Sequence, residues 1–364
     1  MTTPQPQRLL CVDALRGFDM FWILGGELLF AALFTWTGAG IWHSLAGQMA
    51  HSDWHGLTAY DGIFPLFIFL SGVTLGLADK RASALGGGAR RALYRSALRR
   101  LLLLLLLGVL YNHGWGTGLP GHWDEVRYAS VLGRIGLAWF VAAMLVWHCR
   151  PKVWQGVALA ILLGYWALLA GHLDNPAATP NAWVDGHWLP GIHYRQMPAD
   201  PEGLLSTLPA VVNALLGVVA GGLLRSPRQP WSKAVLLAAL GLGLLALGYL
   251  WSLVFPLNKT LWTSSFVLVT SGWSALLLAL FYVLIDLLRL RWLGLAFAVI
   301  GANAIAIYLA SSLVDWPYVA ASLFGQWLAA LGPSAQPLGA ALALLAVQWL
   351  VLAWLYKRQI FIKV

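Results

Sequence analysis

The residues 51–61, HSDWHGLTAYD, hold two histidines, two aspartates and a tryptophan, and the apolar run GIFPLFIFLSG follows at once. Histidine close to aspartate is the usual equipment of general-base chemistry. The carboxylate fixes the ring tautomer and stabilises the imidazolium that forms when the ring takes a proton. Asp61 with either His51 or His55 is the catalytic candidate, and Trp54 and the histidine left over lie beside that pair as candidate substrate contacts. The sequence does not say which histidine pairs with Asp61. A plainer reading stands next to this one. Asp61 at the start of a helix is favoured by the helix dipole, and Trp54 suits a membrane–water interface.

Other polar groups sit where apolar surroundings make them costly. The stretch VDALRGFDMFWILGGELLF, residues 12–30, carries Asp13, Arg16, Asp19 and Glu27. An acid as deep as Glu27 needs a cavity or a partner, which makes it a candidate substrate contact. Gly25 and Gly26 remove side chains beside it. Arg16 with Asp13 or Asp19 reads as a structural ion pair, or as a contact to an anionic ligand. The segment FPLNKTLWTSSF, residues 255–266, supplies Asn258, Lys259 and Ser265 as further candidate substrate contacts. Asn213 and Asn303 fall inside apolar runs, where helix-to-helix hydrogen bonding is the ordinary explanation. The basic stretch 79–100 reads as a lipid-facing loop, and Arg and Lys within it suit phosphate.

The elements that must position these groups are membrane helices. The chain has 364 residues, 60% hydrophobic and 10% charged. Soluble domains carry roughly 25% charged residues. Apolar stretches of about 20 residues recur, each long enough to cross a bilayer as a helix. Their Leu/Ala/Gly-rich runs do not alternate, which argues against a barrel. Ten spans are expected: 17–36, 60–78, 96–112, 128–148, 153–171, 204–224, 233–252, 262–285, 292–312 and 336–356. The fold class is therefore an all-α polytopic membrane protein, one domain over 1–364. Its expected outer loops are 37–59, 113–127, 172–203 and 313–335, and its basic inner loop is 79–100. The segment 316–332 reads as interfacial or re-entrant. No targeting peptide is evident, so the first apolar segment is expected to stay as an anchor.

With both termini in the cytoplasm, nineteen of the 23 Lys and Arg fall on the inner side, including Arg8, Arg99, Arg100 and Lys363. That is the positive-inside pattern. It makes the net charge of +9 topological and points to anionic lipid heads, with no call for nucleic acid. Eight of nine histidines fall on the outer side in the same arrangement. Cys11 and Cys149 fall at inner ends, where a structural disulfide is not expected. Nothing has the spacing of a metal site.

Several stretches resemble one family. RLLCVDALRGF (8–18), HSDWHGLTAYDGIFPLFIFLSG (51–72), RYASVLGRIGLAWF (127–140), FPLNKTLWTSSFVLVTSGW (255–273) and the tail YKRQIFIKV (356–364) together resemble the heparan-alpha-glucosaminide N-acetyltransferases and their bacterial inner-membrane relatives. The His-x-x-Trp-x-Gly-x-Thr block ahead of Asp and Phe-Pro carries most of the specificity. The resemblance implies a transmembrane acetyltransferase of the bacterial inner membrane. It would take acetyl from cytosolic acetyl-CoA and place it on the amine of glucosamine or a similar small amino sugar at the periplasmic side.

It also implies that His51 matches the family's active-site histidine and Asp61 the accompanying carboxylate. His55 stands where lysosomal members carry Asn, and Glu27 where they carry an Asn near the outer end of the first span. The 364 residues include no match to the large luminal N-terminal domain of those members, so a small amino sugar is expected as acceptor ahead of a long polysaccharide. Arg16, Arg99, Arg100 and Asn303 are the candidate contacts for acetyl-CoA. His51 would act as general base or carry the acetyl group itself. Membrane lipids are expected partners, and a homodimer is compatible with the sequence. An amino-sugar or proton-coupled transporter, and an O-acyltransferase of an envelope glycan, are the alternatives.

Overall fold

The computed structural model describes residues 9–113, 118 and 122–362. Arg8 and Lys363, expected among the inner basic residues, and most of 113–121 in the expected second outer loop lie outside the described residues. In chain order the helices are α1 Leu10–Phe21, α2 Leu28–Thr37, α3 Gly40–Gly47, α4 Ile63–Ala78, α5 Gly87–His113, α6 Val131–His148, α7 Pro151–Leu169 and α8 Pro180–Trp188. They continue with α9 Leu204–Arg225, α10 Pro230–Ser252, α11 Ser264–Phe281, α12 Arg291–Ala302, α13 Ala304–Leu313, α14 Trp316–Ala329 and α15 Gln336–Lys357. The other described residues form two π-helical segments, Trp22–Gly26 and Tyr282–Leu287, short 3₁₀ turns and connections, with a single isolated bridge, Arg127 to Gly191.

Among the described residues, seven helical segments are long and apolar enough to cross a bilayer, or nine if each of two bent pairs is one span. The expected span at 96–112 lies inside α5, whose first half carries five arginines, Arg90, Arg91, Arg95, Arg99 and Arg100. The 79–100 stretch is thus a loop only as far as Gly86. Ala, Leu and Arg are good helix formers, and they carry the helix straight through the basic residues. The outer loops are likewise partly helical, with α3 in 37–59, α8 in 172–203 and α14 in 313–335. At 14 residues α14 is too short to span a bilayer as a helix, and it packs on α15.

The chain forms two compact units. The first comprises 53–57 and 64–279 among the described residues, and the second comprises 9–52, 58–63 and 280–362. In the first unit, α4 and α9 approach until their backbones touch. A Cβ built on Gly72 would lie 1.8 Å from the Ala214 carbonyl oxygen, and one on Gly217 would lie 2.0 Å from that of Phe69. Around this contact sit Ile68, Val211, Leu215, Trp262 and Phe266, all fully or almost fully buried. Asn213 does what a buried amide must. It accepts from Trp262 Nε1 at 2.8 Å and donates to Ser271 Oγ at 2.9 Å on α11.

The segment leading into α9 is held by charge. Arg127 donates from Nε to Asp200 Oδ2 at 2.9 Å and from Nη2 to Asp200 Oδ1 at 2.6 Å, and Nη2 also meets Glu202. Asp200 accepts from the Tyr194 and Glu202 amides as well, and Asp185 accepts from those of Asp200 and Leu204. Burial pushes Asp200 up, but its hydrogen bonds and ion pair with Arg127 outweigh it and hold the carboxyl below its usual range. Burial pushes Asp185 up too, and there its backbone hydrogen bonds do not outweigh it, so that carboxyl lies above its usual range. A depressed carboxyl contributes stability above its unfolded value and loses it as pH falls through the lowered one. A raised carboxyl does the reverse.

Arg127→Met leaves Asp200 and Glu202 nearly buried without their cation, and is expected to cost about 3–5 kcal/mol. Thermal unfolding in detergent at neutral pH reads that loss. The gap between variant and native protein should close as the medium is acidified through the Asp200 titration. A gap that stays constant down to strong acid would assign the loss to packing instead.

In the second unit, α1 lies against α12 with Gly17 over the Phe297 carbonyl and Gly301 over that of Asp13. Phe18 meets Trp22, Phe281 and Phe297 at ring centroids 5.3–5.8 Å apart. Two of the expected spans in this unit, 17–36 and 292–312, are broken. The first bends by 52° across a π turn, Trp22–Gly26, where Gly25 takes φ 121°, a conformation that glycine adopts readily and other residues do not. The other bends by 59° at Asn303. Gln348 on α15 donates to the Leu24 carbonyl at 2.8 Å, supplying a partner next to the first break.

Candidate active site

The loop between α3 and α4 folds back on itself before the membrane helix begins. Tyr60 N donates to Gln48 O at 3.0 Å, Ala59 N to Gln48 Oε1 at 3.3 Å, and Thr58 Oγ1 to Ala50 O at 2.6 Å. These bonds bring positions 51 and 61 together although ten residues separate them. Asp61 sits in a 3₁₀ turn, Tyr60–Gly62, with no exposed surface.

The two oxygens of Asp61 have different duties. Oδ1 lies 2.8 Å from His51 Nδ1. Oδ2 accepts from Ser52 N at 3.2 Å, Ser52 Oγ at 3.0 Å and Thr58 N at 3.2 Å, with Thr58 Oγ1 at 3.1 Å. The carboxylate is therefore locked on one side by backbone and hydroxyl donors and offers its other side to the imidazole. A carboxylate only accepts, so a neutral His51 must carry its proton on Nδ1, and Nε2 then holds the lone pair. The His51 side chain is 54% exposed while that of Asp61 is 0% exposed. The Tyr60 ring lies 4.9 Å from the imidazole. A buried acid, an exposed imidazole and a fixed tautomer together make a base that can take a proton from an arriving group.

His51 and Asp61 are in the second unit, and they are the two expected site residues that the structure brings into contact there. Arg16 bonds Asp13 at 3.1 Å. Glu27 is half-buried at the junction of the π turn and α2. The amide of Asn303 is occupied by the tail, donating to Ile360 O at 3.0 Å and accepting from Ile362 N at 2.9 Å.

The remaining expected residues belong to the first unit. Trp54 Nε1 donates to Leu173 O at 3.0 Å, and Gly56 N to Leu257 O at 2.8 Å, which joins the 54–57 stretch to the 255–263 loop. His55 is exposed and Lys259 half-buried. Asn258 is fully buried, with its oxygen accepting from Leu261 N at 2.8 Å, while its Nδ2 has no partner among the described residues. Ser265 Oγ donates to Phe255 O at 2.5 Å. Arg99 is exposed, and Arg100 stacks on Trp139 at 4.2 Å.

Ser52, Thr58 and Tyr60 escaped the sequence reading. Thr58 left a signal, because Thr-x-x-Asp at 58–61 is the spacing with which a hydroxyl residue and an acid close a helix N-terminus. Arg134 escaped as well. It is almost fully buried on α6, bonded to Ser206 and placed 4.7 Å from the Trp262 ring.

No protein-family model matches the chain. Two curated proteins do, the heparan-alpha-glucosaminide N-acetyltransferases of Mus musculus and Homo sapiens. Each is 26% identical, over 98% and 99% of this chain respectively. The chain is a relative of that family. It spans 60% of the length of these heparan-alpha-glucosaminide N-acetyltransferases. The similarity runs through both compact units and includes the loop that carries His51 and Asp61.

Proposed function

We propose that the protein is a transmembrane acetyltransferase that moves acetyl from acetyl-CoA to the amine of glucosamine or a similar small amino sugar, with His51 as its base. The observation that carries this is the bond between His51 Nδ1 and buried Asp61 Oδ1 at 2.8 Å, on an imidazole that is itself open to ligand. The similarity to heparan-alpha-glucosaminide N-acetyltransferases supports the choice of donor and acceptor.

His51 Nε2 takes a proton from the sugar amine as its nitrogen attacks the thioester carbonyl. Asp61 stabilises the imidazolium so formed. The tetrahedral adduct collapses, the carbon–sulfur bond breaks, and the thiolate leaves with that proton as CoA thiol. Direct transfer and transient acetylation of His51 differ in one observable. Labelled acetyl-CoA without sugar leaves label on the protein only by the second route. Acetyl-CoA supplied from the cytosol, an acceptor on the periplasmic side, residence in a bacterial inner membrane and nucleotide contacts from Arg16, Arg99 and Arg100 complete the proposal.

Purified protein in detergent should release CoA from acetyl-CoA when glucosamine is added and yield N-acetylglucosamine. Release of CoA that does not depend on any amine or hydroxyl acceptor would remove the transferase assignment. A second reading, an amino-sugar transporter, draws on the two broken helices, since interrupted helices line solute sites in transporters. Sugar uptake into proteoliposomes lacking acetyl-CoA separates the two.

A further inference from the structure

The first half of α5 does not merely carry charge. Arg91, Tyr94, Arg95 and Leu98 follow each other at helical spacing on one face of α5, opposite Phe140, Met144 and His148 on α6. Between them lies a cavity of about 460 Å³. A neighbouring cavity of about 390 Å³ shares Arg91 and Arg95 and adds Arg99. The helices run antiparallel. Tyr94 OH meets His148 Nε2 at 3.0 Å, and Gly108, further along α5, packs on Ser130 at the start of α6. The polar ends of both helices therefore coincide, and so do their apolar ends. Past the cavity, Leu98, Leu102 and Leu106 form one outward stripe, 48%, 55% and 55% exposed.

The arginines here differ from their neighbours. Arg225 pairs with Asp79 at 2.5 Å, and Arg81 donates to the carbonyls of Val146 and Cys149. Arg91, Arg95 and Arg99 are exposed, and no ion pair is recorded for them among the described residues. A cationic head opening onto an apolar trough matches one chemistry, an anion joined to a hydrocarbon chain.

We propose that this groove binds one anionic phospholipid, its phosphate on Arg91 and Arg95 and an acyl chain along Leu98, Met144 and Phe140. Guanidinium groups clasp phosphate oxygens in pairs, and basic residues at the membrane surface favour anionic over zwitterionic lipid. The site lies wholly within the first unit and does not depend on the acetyltransferase reading.

The test is native mass spectrometry of detergent-purified protein titrated with dioleoyl-phosphatidylglycerol, and separately with dioleoyl-phosphatidylcholine. The native chain should retain one phosphatidylglycerol preferentially. The double variant Arg91→Gln, Arg95→Gln should weaken that binding about tenfold or more. Lys152→Gln, which removes an exposed charge outside the groove, should not. Met144→Trp fills the trough without altering charge and should weaken binding as well. Phe140→Ala repeats that arm if the tryptophan variant fails to fold. Equal affinity in the double variant, an equal loss in Lys152→Gln, or no effect of the trough variants would overturn the site. Displacement of the lipid by millimolar inorganic phosphate or by coenzyme A would also overturn it, because the groove would then be a phosphate site of another kind.

Discussion

His51→Ala is expected to lower the second-order rate constant of acetyl transfer by about a hundred- to ten-thousand-fold, with the protein still folded. The side chain is half exposed on a loop, so its removal opens no core. Asp61→Asn is expected to do nearly as much harm, for a reason the geometry supplies. Oδ2 is surrounded by the Ser52 and Thr58 donors, which will accept only an oxygen there. The asparagine amide must then turn its NH2 toward His51 Nδ1. That forces the imidazole proton onto Nε2, and the base loses its lone pair at the exposed nitrogen. His55→Ala, which removes a neighbouring exposed imidazole, should stay within a few-fold of the native rate. Steady-state kinetics with acetyl-CoA and glucosamine check all three. A His51→Ala protein with native turnover, or a larger loss at His55, would take the base away from His51.

Residue types alone did not separate those two histidines; the family resemblance did, by matching His51 to the active-site position. Residue types and the helix mouth marked the region, because acids and imidazoles are costly there and have to be explained. Pairing depends on how a ten-residue loop closes, and that closure rests on bonds to the Gln48 and Ala50 carbonyls and to the Gln48 side chain, partners that residue types alone do not pick out. The apolar spans were easier. Nine of the ten expected segments overlap helices or bent pairs that are long and apolar enough to span, with ends that differ by up to seven residues, since burial in lipid demands uninterrupted apolar runs. The bends were hidden because Gly25 or Asn303 alone does not lower the hydrophobicity of a long apolar run enough to interrupt it. Asn303 illustrates the ambiguity of a buried amide. Its place in an apolar run suited a bond to another helix or a ligand contact, whereas its two hydrogen bonds go to the backbone of the tail.

Gly72→Leu is expected to prevent the first unit from assembling. Gly72 and Gly76 on α4 are four residues apart, as are Gly217 and Gly221 on α9, and the two pairs face each other. Cβ atoms at the four positions would fall 1.8, 2.3, 2.0 and 2.2 Å from carbonyl oxygens of the opposite helix. Small residues at such spacing let membrane helices touch along their backbones, where lipid offers no hydrophobic drive to hold them. A side chain at position 72 meets a backbone oxygen, which cannot rotate away, so the helices must part.

Parting them opens the packing of Ile68, Phe69, Val211 and Leu215, which are almost wholly buried. Overpacking against side chains alone costs about 1–3 kcal/mol, and a rigid backbone obstacle exceeds that. Gly164→Leu on α7 is the matched control, because a Cβ there has open space around it. Size-exclusion chromatography in detergent should show a single sharp peak for the native chain and the control, and aggregate for Gly72→Leu. Gly72→Ala should sit between them, with a lowered thermal midpoint. A sharp peak and native midpoint for Gly72→Leu would mean that α4 and α9 do not meet at this glycine pair.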